Sequence, residues 1–412
     1  MAARLVVTLP PGRSGEAALE FARRARREGA DLLELRGDFH ADGAIDAAAL
    51  ARELPLLAAE RGGELPRAFL CAAAEIDRPL GSPAEGTTLR SWHADRPLTP
   101  SEALAVWESC VPGPTALKHV EPLGTPRDGL RLLETQRRLG QRFGAARITV
   151  LAVGDLALPF RCLLAAGNEL DYVALDGQSL AAPGQRLLAD AVRERDAGGR
   201  DRGGRRLGLL GAGIAQSRSP ERHRQPFDRI DLPPDTELAP LLAELHQFYD
   251  GFAVTSPFKR EAARMAGSAL PAVNTLLRTP DGWSGANTDV DGAREAVRRL
   301  GVAELTALGD GGATAALREA CAREQVRLSV LRRAEVFGHA LSGTFVWTWP
   351  PGLAAPDGLR FDRARVAVIA YGERARWVSR EIRTRGGRPV AIGGRWFAAQ
   401  AHGQERLWEA MR

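Results

Sequence analysis

From residue 5 to about residue 189, the chain alternates short apolar runs with amphipathic segments, and this alternation limits the folds it can adopt. Eight runs have the length of β-strands, and amphipathic segments with helical periodicity, three of them clear, lie between most of these runs. The predicted strands are 5–9, 31–37, 55–60, 75–80, 87–93, 115–120, 148–154 and 171–175, and the predicted helices are 16–28, 100–108 and 127–142. Eight strands with intervening helices predict a closed parallel (β/α)8 barrel. The region around the third and fourth strands is short, so we expect a stunted helix there.

A glycine-rich segment, residues 198–204, interrupts this periodicity, and a second α/β pattern follows it. Within that pattern a predicted strand, residues 304–308, runs directly into a glycine-rich turn. A strand followed by such a turn is typical of dinucleotide-binding subdomains. The chain is therefore expected to be an α/β protein with more than one domain.

The composition argues against several classes of protein. No apolar run approaches the roughly 18 residues that a membrane helix needs, and the start of the chain lacks a secretory signal pattern. The four cysteines are scattered without metal-ligand spacing, and the net charge of +5 comes from basic residues spread along the chain. We expect a cytoplasmic protein with small-molecule substrates and no metal, membrane or nucleic-acid partner. The oligomeric state stays open.

Only two of the 56 basic residues are lysines, Lys118 and Lys259. Arginine can replace lysine in most solvated and ion-pair roles, but its guanidinium does not give up a proton. A composition that drifts toward arginine therefore keeps lysine where an amine must lose its proton. Chance survival at the surface is the alternative, and the motifs around both lysines argue against it. We predict amine chemistry at both positions.

Four short motifs follow one another in the second half of the chain. They are Ser217-Arg-Ser219-Pro220, the run from Gly251 through Thr255 to Lys259, Ala272-Val-Asn274-Thr275, and Gly285-Ala-Asn287-Thr-Asp289. In this order and spacing they resemble shikimate dehydrogenase over residues 206–412. The resemblance implies an NADPH-dependent reduction of 3-dehydroshikimate to shikimate. It also implies site residues, namely the acid–base pair Lys259 and Asp289 and the substrate ligands Ser217, Ser219, Thr255, Asn274 and Gln400.

The residue types suit that chemistry. Ser217 and Ser219 are two positions apart, so in an extended chain both hydroxyls face one side and can bind a carboxylate. A capping pair before a helix is the alternative. A hydride that reaches a ketone carbon creates an alkoxide, and the Lys259 ammonium can protonate it while Asp289 orients the amine. A turn residue is the alternative reading of Asp289.

A glycine-rich loop provides the predicted cofactor site. The loop is Gly309-Asp310-Gly311-Gly312, which precedes a predicted helix over 313–324. Glycines there let the backbone approach a pyrophosphate at the helix N-terminus, although Asp310 weakens anion binding unless it points away. The next strand ends without an acid to bind a ribose hydroxyl, and Arg333 matches the arginine that holds NADP in the resembled family. NADP is therefore predicted over NAD.

Motifs of the first half resemble type I 3-dehydroquinate dehydratase over residues 5–192. They lie at 31–38, 91–95, 116–118 and 179–185. The resemblance implies dehydration of 3-dehydroquinate through a Schiff base on Lys118, with His93 moving protons. It also implies that Glu34, Arg36, Arg161 and Gln185 bind the substrate.

The chemistry of dehydration explains these residue types. A lysine amine that condenses with a ketone forms an iminium, which acts as an electron sink when the neighbouring proton leaves. Glu34 and Arg36 share one strand face, so both can point inward. Glu34 is expected to orient His93, while Arg36 and Arg161 suit the hydroxyls and carboxylate of the substrate. His119 should point to the opposite, helix-facing side and be structural. The alternatives are a buried core histidine at His93 and a structural ion pair at Glu34 and Arg36, and the role of Arg61 stays open.

The two resemblances imply consecutive reactions of one pathway, and together they give the predicted organisation. The parts are a barrel over 1–195, a linker over 196–205, a substrate-binding subdomain over 206–290, a Rossmann-like NADP subdomain over 291–396, and a helix over 397–412 that returns to the substrate subdomain. Three alternatives remain. In the first, only the reductase half is active and the barrel is a scaffold or ligand-binding domain. In the second, the two halves act together in the breakdown of quinate and use NAD. In the third, the chain is a ligand sensor without catalytic activity.

Overall fold

The structure is a computed structural model. It describes residues 2–40, 45–62, 64–82, 86–110, 115–197, 206–223, 227–336, 340–350, 353 and 355–411. It divides into two compact units, Met1–Tyr249 and Asp250–Arg412. Most of the predicted linker lies outside the described residues, so the domain boundaries stay predictions. Among the described residues, no helix combines the length and apolar character that a membrane crossing requires.

Among the described residues of the first unit, eight parallel strands follow one another, and a ninth short strand pairs beside the eighth. They are β1 (Arg4–Thr8), β2 (Leu32–Arg36), β3 (Leu56–Ala59), β4 (Glu75–Pro79), β5 (Leu89–His93), β6 (Ala116–Pro122), β7 (Ile148–Val153), β8 (Leu170–Ala174) and β9 (Arg186–Leu187). Alternate residues of these strands fill the interior, including Val6, Leu57, Leu89 and Leu151. The predicted α/β class and its parallel barrel strands are confirmed.

The edges formed by β7 and β8 meet through a side chain as well as the backbone. The Glu169 N–H donates to the Ile148 carbonyl at 2.7 Å. The Asn168 amide accepts from the Val150 N–H at 2.8 Å and donates to the Val150 carbonyl at 2.9 Å. A carboxamide can do both because it carries a donor and an acceptor. Asn168 thus replaces ladder bonds where the sheet curls back on itself.

In the described part of the first unit, seven helices accompany the barrel strands. They are α1 (Gly15–Arg27), α2 (Ala47–Glu53), α3 (Arg67–Ala72), α4 (Pro100–Cys110), α5 (Pro126–Phe143), α6 (Ala157–Leu164) and α7 (Leu188–Asp196). The stunted helix predicted near the third and fourth strands is α3, with six residues. Helix α5 begins with a capping box in which Thr125 and Asp128 each accept the other's backbone N–H. Such boxes satisfy N–H groups that a helix start leaves unpaired.

The rest of the first unit is built onto the barrel helices. It contains β10 (Leu207–Gly211), α8 (Ser219–Arg222), β11 (Phe227–Asp231) and α9 (Leu238–Leu245), with β10 parallel to β11. The buried guanidinium of Arg229 on β11 donates through Nε to Asp190 of α7 at 2.8 Å. Its Nη1 donates to the carbonyls of Ile214 at 2.8 Å and Ser217 at 2.6 Å. One side chain therefore joins the last barrel helix to the loop that carries the serine motif.

The second unit begins with an antiparallel group of strands. It consists of β12 (Gly251–Val254), α10 (Lys259–Met265), β13 (Thr275–Thr279), β14 (Gly282–Ala286) and α11 (Asp289–Leu300). Strand β13 pairs antiparallel with both β12 and β14. The chain reverses before α10 and α11, and both helices begin at a predicted catalytic residue.

A five-stranded parallel sheet completes the second unit, in the order β16-β15-β18-β20-β21. The remaining elements are β15 (Glu304–Leu308), α12 (Gly312–Arg323), β16 (Arg327–Leu331), β17 (Ala340–Leu341), β18 (Thr344–Trp347), β19 (Arg360–Phe361), β20 (Arg365–Val368), α13 (Gly372–Thr384), β21 (Arg388–Ala391) and α14 (Gly393–Glu409). This order is doubly wound, with its switch point between β15 and β18, where such sheets bind ligands beyond the strand ends. The Rossmann-type sheet is thus confirmed.

Candidate functional site

Lys118 lies at the centre of a buried charge cluster inside the barrel. Its ammonium donates to Asp77 Oδ2 at 2.8 Å and lies 3.6 Å from Glu34 Oε1. It also lies 4.2 Å from the centre of the Tyr172 ring. The lysine is only 2% exposed, so its charge is compensated by carboxylates and an aromatic face rather than by water. Lys118 is therefore no chance survivor at the surface.

Asp77 is a partner that the sequence analysis did not identify. It occupies the middle of β4, is 1% exposed, and keeps Oδ1 buried without a hydrogen-bond partner among the described residues. A carboxylate so deep in a barrel is costly unless a cation or a ligand compensates it. Asp77 could have been found from the sequence, because an acidic residue at the centre of a predicted barrel strand is unusual.

Glu34 contacts different groups from those expected. It accepts from Thr8 Oγ1 at 2.5 Å and faces Lys118, whereas the described partner of His93 is Arg61. The expectation that Glu34 orients His93 is therefore corrected: the alternation of β2 and β6 directs Glu34 to the lysine. Arg36 lies on the same strand, and its guanidinium binds Asp38 in a bidentate pair at 2.9 and 2.5 Å.

His93 ends β5 and is held as a neutral ring. Its Nδ1 lies 3.2 Å from Arg61 Nη2, and its Nε2 is buried without a described partner. Burial, followed by the nearby charges of Lys118 and Arg61, lowers the pKa of His93 to about 2. By contrast, His119 contacts Glu121 at 2.5 Å and Trp107 at 3.3 Å on the other side of the sheet. These contacts agree with its predicted structural role.

Arg161 provides an unsatisfied cationic group at the same cavity. Only its Nη2 has a described partner, the Tyr172 carbonyl at 3.1 Å, while Nε and Nη1 are buried and unpaired. Burial lowers the pKa of the guanidinium to about 10, which leaves it charged at neutral pH. Buried charged donors without partners suit an anionic ligand such as a carboxylate.

The predicted barrel residues come together around one cavity of about 300 Å³. Gln185 borders it from the loop before β9, where its Oε1 accepts from the N–H groups of Ala181 at 2.6 Å and Ala182 at 3.2 Å. The predicted residues that line the cavity are Glu34, Arg36, His93, Lys118, Arg161 and Gln185. An amine, a neutral imidazole and a guanidinium with two unpaired nitrogens therefore share one cavity.

In the second unit, Lys259 and Asp289 form an ion pair at the starts of α10 and α11. The Lys259 ammonium donates to Asp289 Oδ2 at 2.5 Å. Asp289 is the first residue of its helix, where the macrodipole stabilises a carboxylate. The two predicted acid–base residues, thirty positions apart in sequence, are thus in direct contact.

Asn274 holds this pair in place. Its Nδ2 donates to Asp289 Oδ1 at 3.0 Å and to Thr288 Oγ1 at 3.1 Å. Its Oδ1 accepts from the Thr288 N–H and from Thr275 Oγ1, both at 2.8 Å. The fully buried amide thus uses all its hydrogen-bonding positions within the protein and positions Asp289, while its expected contact with the substrate stays a prediction.

The C-terminal helix α14 returns to β13 of the same unit. Gln404 Nε2 donates to the Asn274 carbonyl at 3.0 Å and to Thr275 Oγ1 at 3.2 Å, and Trp408 donates to the Leu276 carbonyl at 3.1 Å. The contacts of Gln404 were not predicted from the sequence. Gln400, the predicted substrate ligand, lies one turn earlier on the helix, and half-buried Thr255 follows β12. Both remain predictions.

The serine motif in the first unit differs from its expected geometry. Arg218, between the two serines, has φ −90° and ψ 3°, so the segment is not extended, and Ser219 begins the short helix α8. The Ser217 and Ser219 hydroxyl oxygens nevertheless lie 3.4 Å apart. The two hydroxyls were expected to meet because they alternate along an extended strand. Instead, the turn that leads into α8 brings them together.

The glycine loop after β15 has the features of a phosphate loop. A Cβ on Gly309, whose φ is +120°, would lie 2.8 Å from side-chain atoms of Thr348 and Trp349. Gly311 and Gly312, at the start of α12, have no such neighbour within 4 Å and leave the helix N-terminus open. That end of a helix offers N–H groups to an anion.

Asp310 lies in the glycine loop, and its carboxylate is paired with two nearby arginines. Arg332 and Arg318 bind its carboxylate at 3.1 and 3.2 Å, and these hydrogen bonds lower the pKa of Asp310. The negative charge of Asp310 is therefore compensated by two arginines beside the loop. Arg333, the predicted NADP ligand, keeps a buried Nη1 without a described partner.

Comparisons with known proteins agree with the second-half motifs. No protein-family model matches the chain. It is similar to the shikimate dehydrogenase (NADP(+)) of Syntrophobacter fumaroxidans, with 35% identity over 177 residues, 39% of this chain and 62% of that protein. The chain thus spans less than two thirds of that relative. The shikimate dehydrogenase (NADP(+)) of Acidiphilium cryptum is 34% identical over 205 residues, 40% of this chain and 73% of that protein.

Among solved structures, the chain is similar to the dehydroquinate dehydratase and shikimate dehydrogenase from S. pombe AroM. The alignment covers 99% of this chain and 96% of that chain, at 19% sequence identity and a TM-score of 0.36.

Proposed function

Since the chain belongs to the shikimate dehydrogenase family, we propose that it reduces 3-dehydroshikimate to shikimate with NADPH and that its barrel makes that substrate from 3-dehydroquinate. The observation that carries this proposal is the environment of the two lysines. Each ammonium is held by a carboxylate, at 2.8 Å for Lys118 and 2.5 Å for Lys259. Tethering both reactions in one chain raises the local concentration of the shared intermediate.

The reductase chemistry rests on Lys259 and Asp289. A hydride that arrives at the ketone carbon leaves an alkoxide, and the Lys259 ammonium is the group that donates a proton to it. Asp289 orients the ammonium and stabilises its charge. Asn274 in turn holds the carboxylate of Asp289 at 3.0 Å, so the pair keeps one geometry while substrate binds.

The residues beyond β15 suit NADPH, which supplies the hydride when bound. The open N–H groups at Gly311 and Gly312 would hold the pyrophosphate, and Arg333 with its unpaired Nη1 would bind the 2′-phosphate. Arg332 is already engaged with Asp310, which leaves Arg333 as the better candidate. The NADP(+) named for the relatives supports the same cofactor.

The dehydratase chemistry rests on the barrel cavity. Lys118 must become a free amine, and Asp77 lies within hydrogen-bonding distance to accept its proton. The amine then condenses with the substrate ketone and releases one water. The iminium withdraws electrons while the adjacent proton and the hydroxyl group leave together as a second water. Arg161, with two unpaired donors, binds the substrate carboxylate. Hydrolysis of the iminium returns Lys118 and releases 3-dehydroshikimate.

The overall proposal is tested by following NADPH absorbance when the purified chain receives 3-dehydroquinate as its only carbon substrate. Oxidation of NADPH with formation of shikimate requires both reactions. Oxidation only when 3-dehydroshikimate is supplied would mean that the barrel is inactive. No oxidation with either substrate would overturn the proposal for both halves.

Two single variants provide the matched control for this assay. Lys118→Arg and Lys259→Met should each fail to convert 3-dehydroquinate to shikimate. An equimolar mixture of the two should recover the conversion, because 3-dehydroshikimate released by one variant can diffuse to the other. A mixture that stays inactive while each variant retains its own remaining activity would contradict a diffusible intermediate.

Arg333→Ala is expected to raise the KM for NADPH by about 10- to 100-fold, because a hydrogen bond to a charged group contributes about 1.5–3 kcal/mol. The KM for NADH should change little, since NADH lacks the 2′-phosphate. Steady-state kinetics with both cofactors measure this. Arg332→Ala is the comparison: it leaves the Asp310 charge less compensated beside the loop and should therefore weaken the binding of NADPH and NADH alike, without the selectivity for NADPH that Arg333→Ala shows. Equal use of NADPH and NADH by the unaltered chain would reject the cofactor assignment.

A further inference from the structure

One contact in the barrel cavity has no role in the chemistry described so far. Arg61 follows β3, and its Nη2 lies 3.2 Å from Nδ1 of His93. Both side chains line the cavity that contains Lys118. Among the described residues, the other charged or titratable groups with the largest effect on His93 are Lys118, Arg36 and His119.

The contact decides which nitrogen of His93 carries the proton. A guanidinium has five N–H donors and no acceptor, so the imidazole nitrogen that faces it must accept. Nδ1 is therefore unprotonated, and the proton of the neutral ring is on Nε2. That nitrogen is buried and lacks a described hydrogen-bond partner. A buried donor without a partner inside a ligand cavity is available for a ligand oxygen.

We propose that Arg61 is a positioning residue that holds His93 in its Nε2–H form, so that His93 meets the substrate as a neutral hydrogen-bond donor. This inference rests on the proposed dehydration. The oxygen that receives the hydrogen bond is that of the ketone attacked by Lys118. A neutral imidazole can polarise a carbonyl in this way without giving up its proton.

The first covalent step balances with this assignment. The Lys118 nitrogen forms a bond to the ketone carbon while the C=O π bond breaks and its electron pair moves to oxygen. The new C–N bond leaves an extra proton on nitrogen, and that proton passes to the oxygen to give a carbinolamine. Throughout this step His93 keeps its Nε2 proton and stabilises the developing negative charge on oxygen.

The test is nitrogen-detected NMR of the full chain labelled with ¹⁵N-histidine. The chain has seven histidines, and His93 is assigned by the signal that disappears in His93→Gln. The expected result at pH 7 is a neutral ring with the proton on Nε2 and no titration near pH 6. A charged ring, or a ring protonated at Nδ1, would overturn the proposal.

Two variants separate the hydrogen bond of Arg61 from its charge. Arg61→Gln keeps an N–H donor without charge and should retain the Nε2–H form. Arg61→Met removes both and should give a mixture of tautomers that titrates closer to the ordinary histidine range. The kcat for dehydration should fall about tenfold or more in Arg61→Met and recover in part in Arg61→Gln. An unchanged His93 signal in Arg61→Met would refute the role of Arg61.

The outcomes also separate this inference from the proposed function. If the unaltered chain does not dehydrate 3-dehydroquinate, the proposed dehydratase activity fails, whatever the NMR result. If it does and His93 is not in the Nε2–H form, the role of Arg61 alone fails. Urea unfolding of each variant confirms that a lost signal does not come from a lost fold.

Discussion

Lys118→Arg is expected to abolish dehydration of 3-dehydroquinate, with a loss of at least about 10³-fold, or about 4 kcal/mol of transition-state stabilisation. The positive charge between Asp77 and Glu34 remains, but a guanidinium does not become the free amine that attacks a ketone. Product formation is measured by the absorbance of the conjugated enone. In the unaltered chain, borohydride added with substrate should fix a covalent adduct on Lys118, detectable by mass spectrometry.

Reduction of 3-dehydroshikimate by the same variant is the internal control and should be unchanged. Lys118→Met makes a second comparison, because it leaves two buried carboxylates without their cation and should destabilise the fold by about 3–5 kcal/mol. Adding Asp77→Asn should recover part of that stability in urea unfolding, without recovering activity. Dehydration at the normal rate by Lys118→Arg would refute the Schiff-base mechanism.

Lys259→Met is expected to lower the kcat for reduction of 3-dehydroshikimate by about 10²- to 10⁴-fold, because the alkoxide loses its proton donor. Asp289→Asn should also lower kcat. One carboxylate oxygen faces the Lys259 ammonium and the other faces Asn274 Nδ2, and both of these groups are donors. An amide at position 289 must therefore turn its own NH2 toward one donor or the other. NADPH oxidation measures both effects.

Arg264→Met is a matched control for Lys259→Met, since Arg264 is an exposed cation on the same helix. It should retain the kcat of the unaltered chain. Dehydration of 3-dehydroquinate by Lys259→Met should also be retained, because Lys259 belongs to the second unit. If Lys259→Met reduced its substrate at the normal rate, the acid–base assignment would be wrong.

Local pattern was enough to predict much of the fold. The eight barrel strands were predicted to within a few residues, because a buried parallel strand is a short apolar run between turns. The glycine turn after β15 was predicted because few other residues suit such a loop. Lysine scarcity identified Lys118 and Lys259, since arginine cannot replace an amine that must be deprotonated.

The parts that sequence could not predict depend on distances between segments. Asp77 and Lys118 are 41 positions apart, and their contact depends on the curl of the sheet. The pairing of Arg61 with His93 depends on the direction of a loop side chain, and the role of Gln404 depends on the rotation of α14. Ser217 and Ser219 were expected on an extended segment, but the turn into α8 sets their spacing.

The ion pair between Arg229 and Asp190 has a consequence for the evolution of this chain. A gene fission within the glycine-rich segment would leave Asp190 on one polypeptide and Arg229, 8% exposed, on the other. Arg229 would then lose both its carboxylate and the cover of the barrel helix, and it also holds the Ser217 carbonyl. In a free-standing reductase descended from this fusion, water or another acid would have to take the place of Asp190 beside Arg229. A chain that keeps both parts keeps the partner of Arg229, and with it the contact that holds the Ser217 carbonyl.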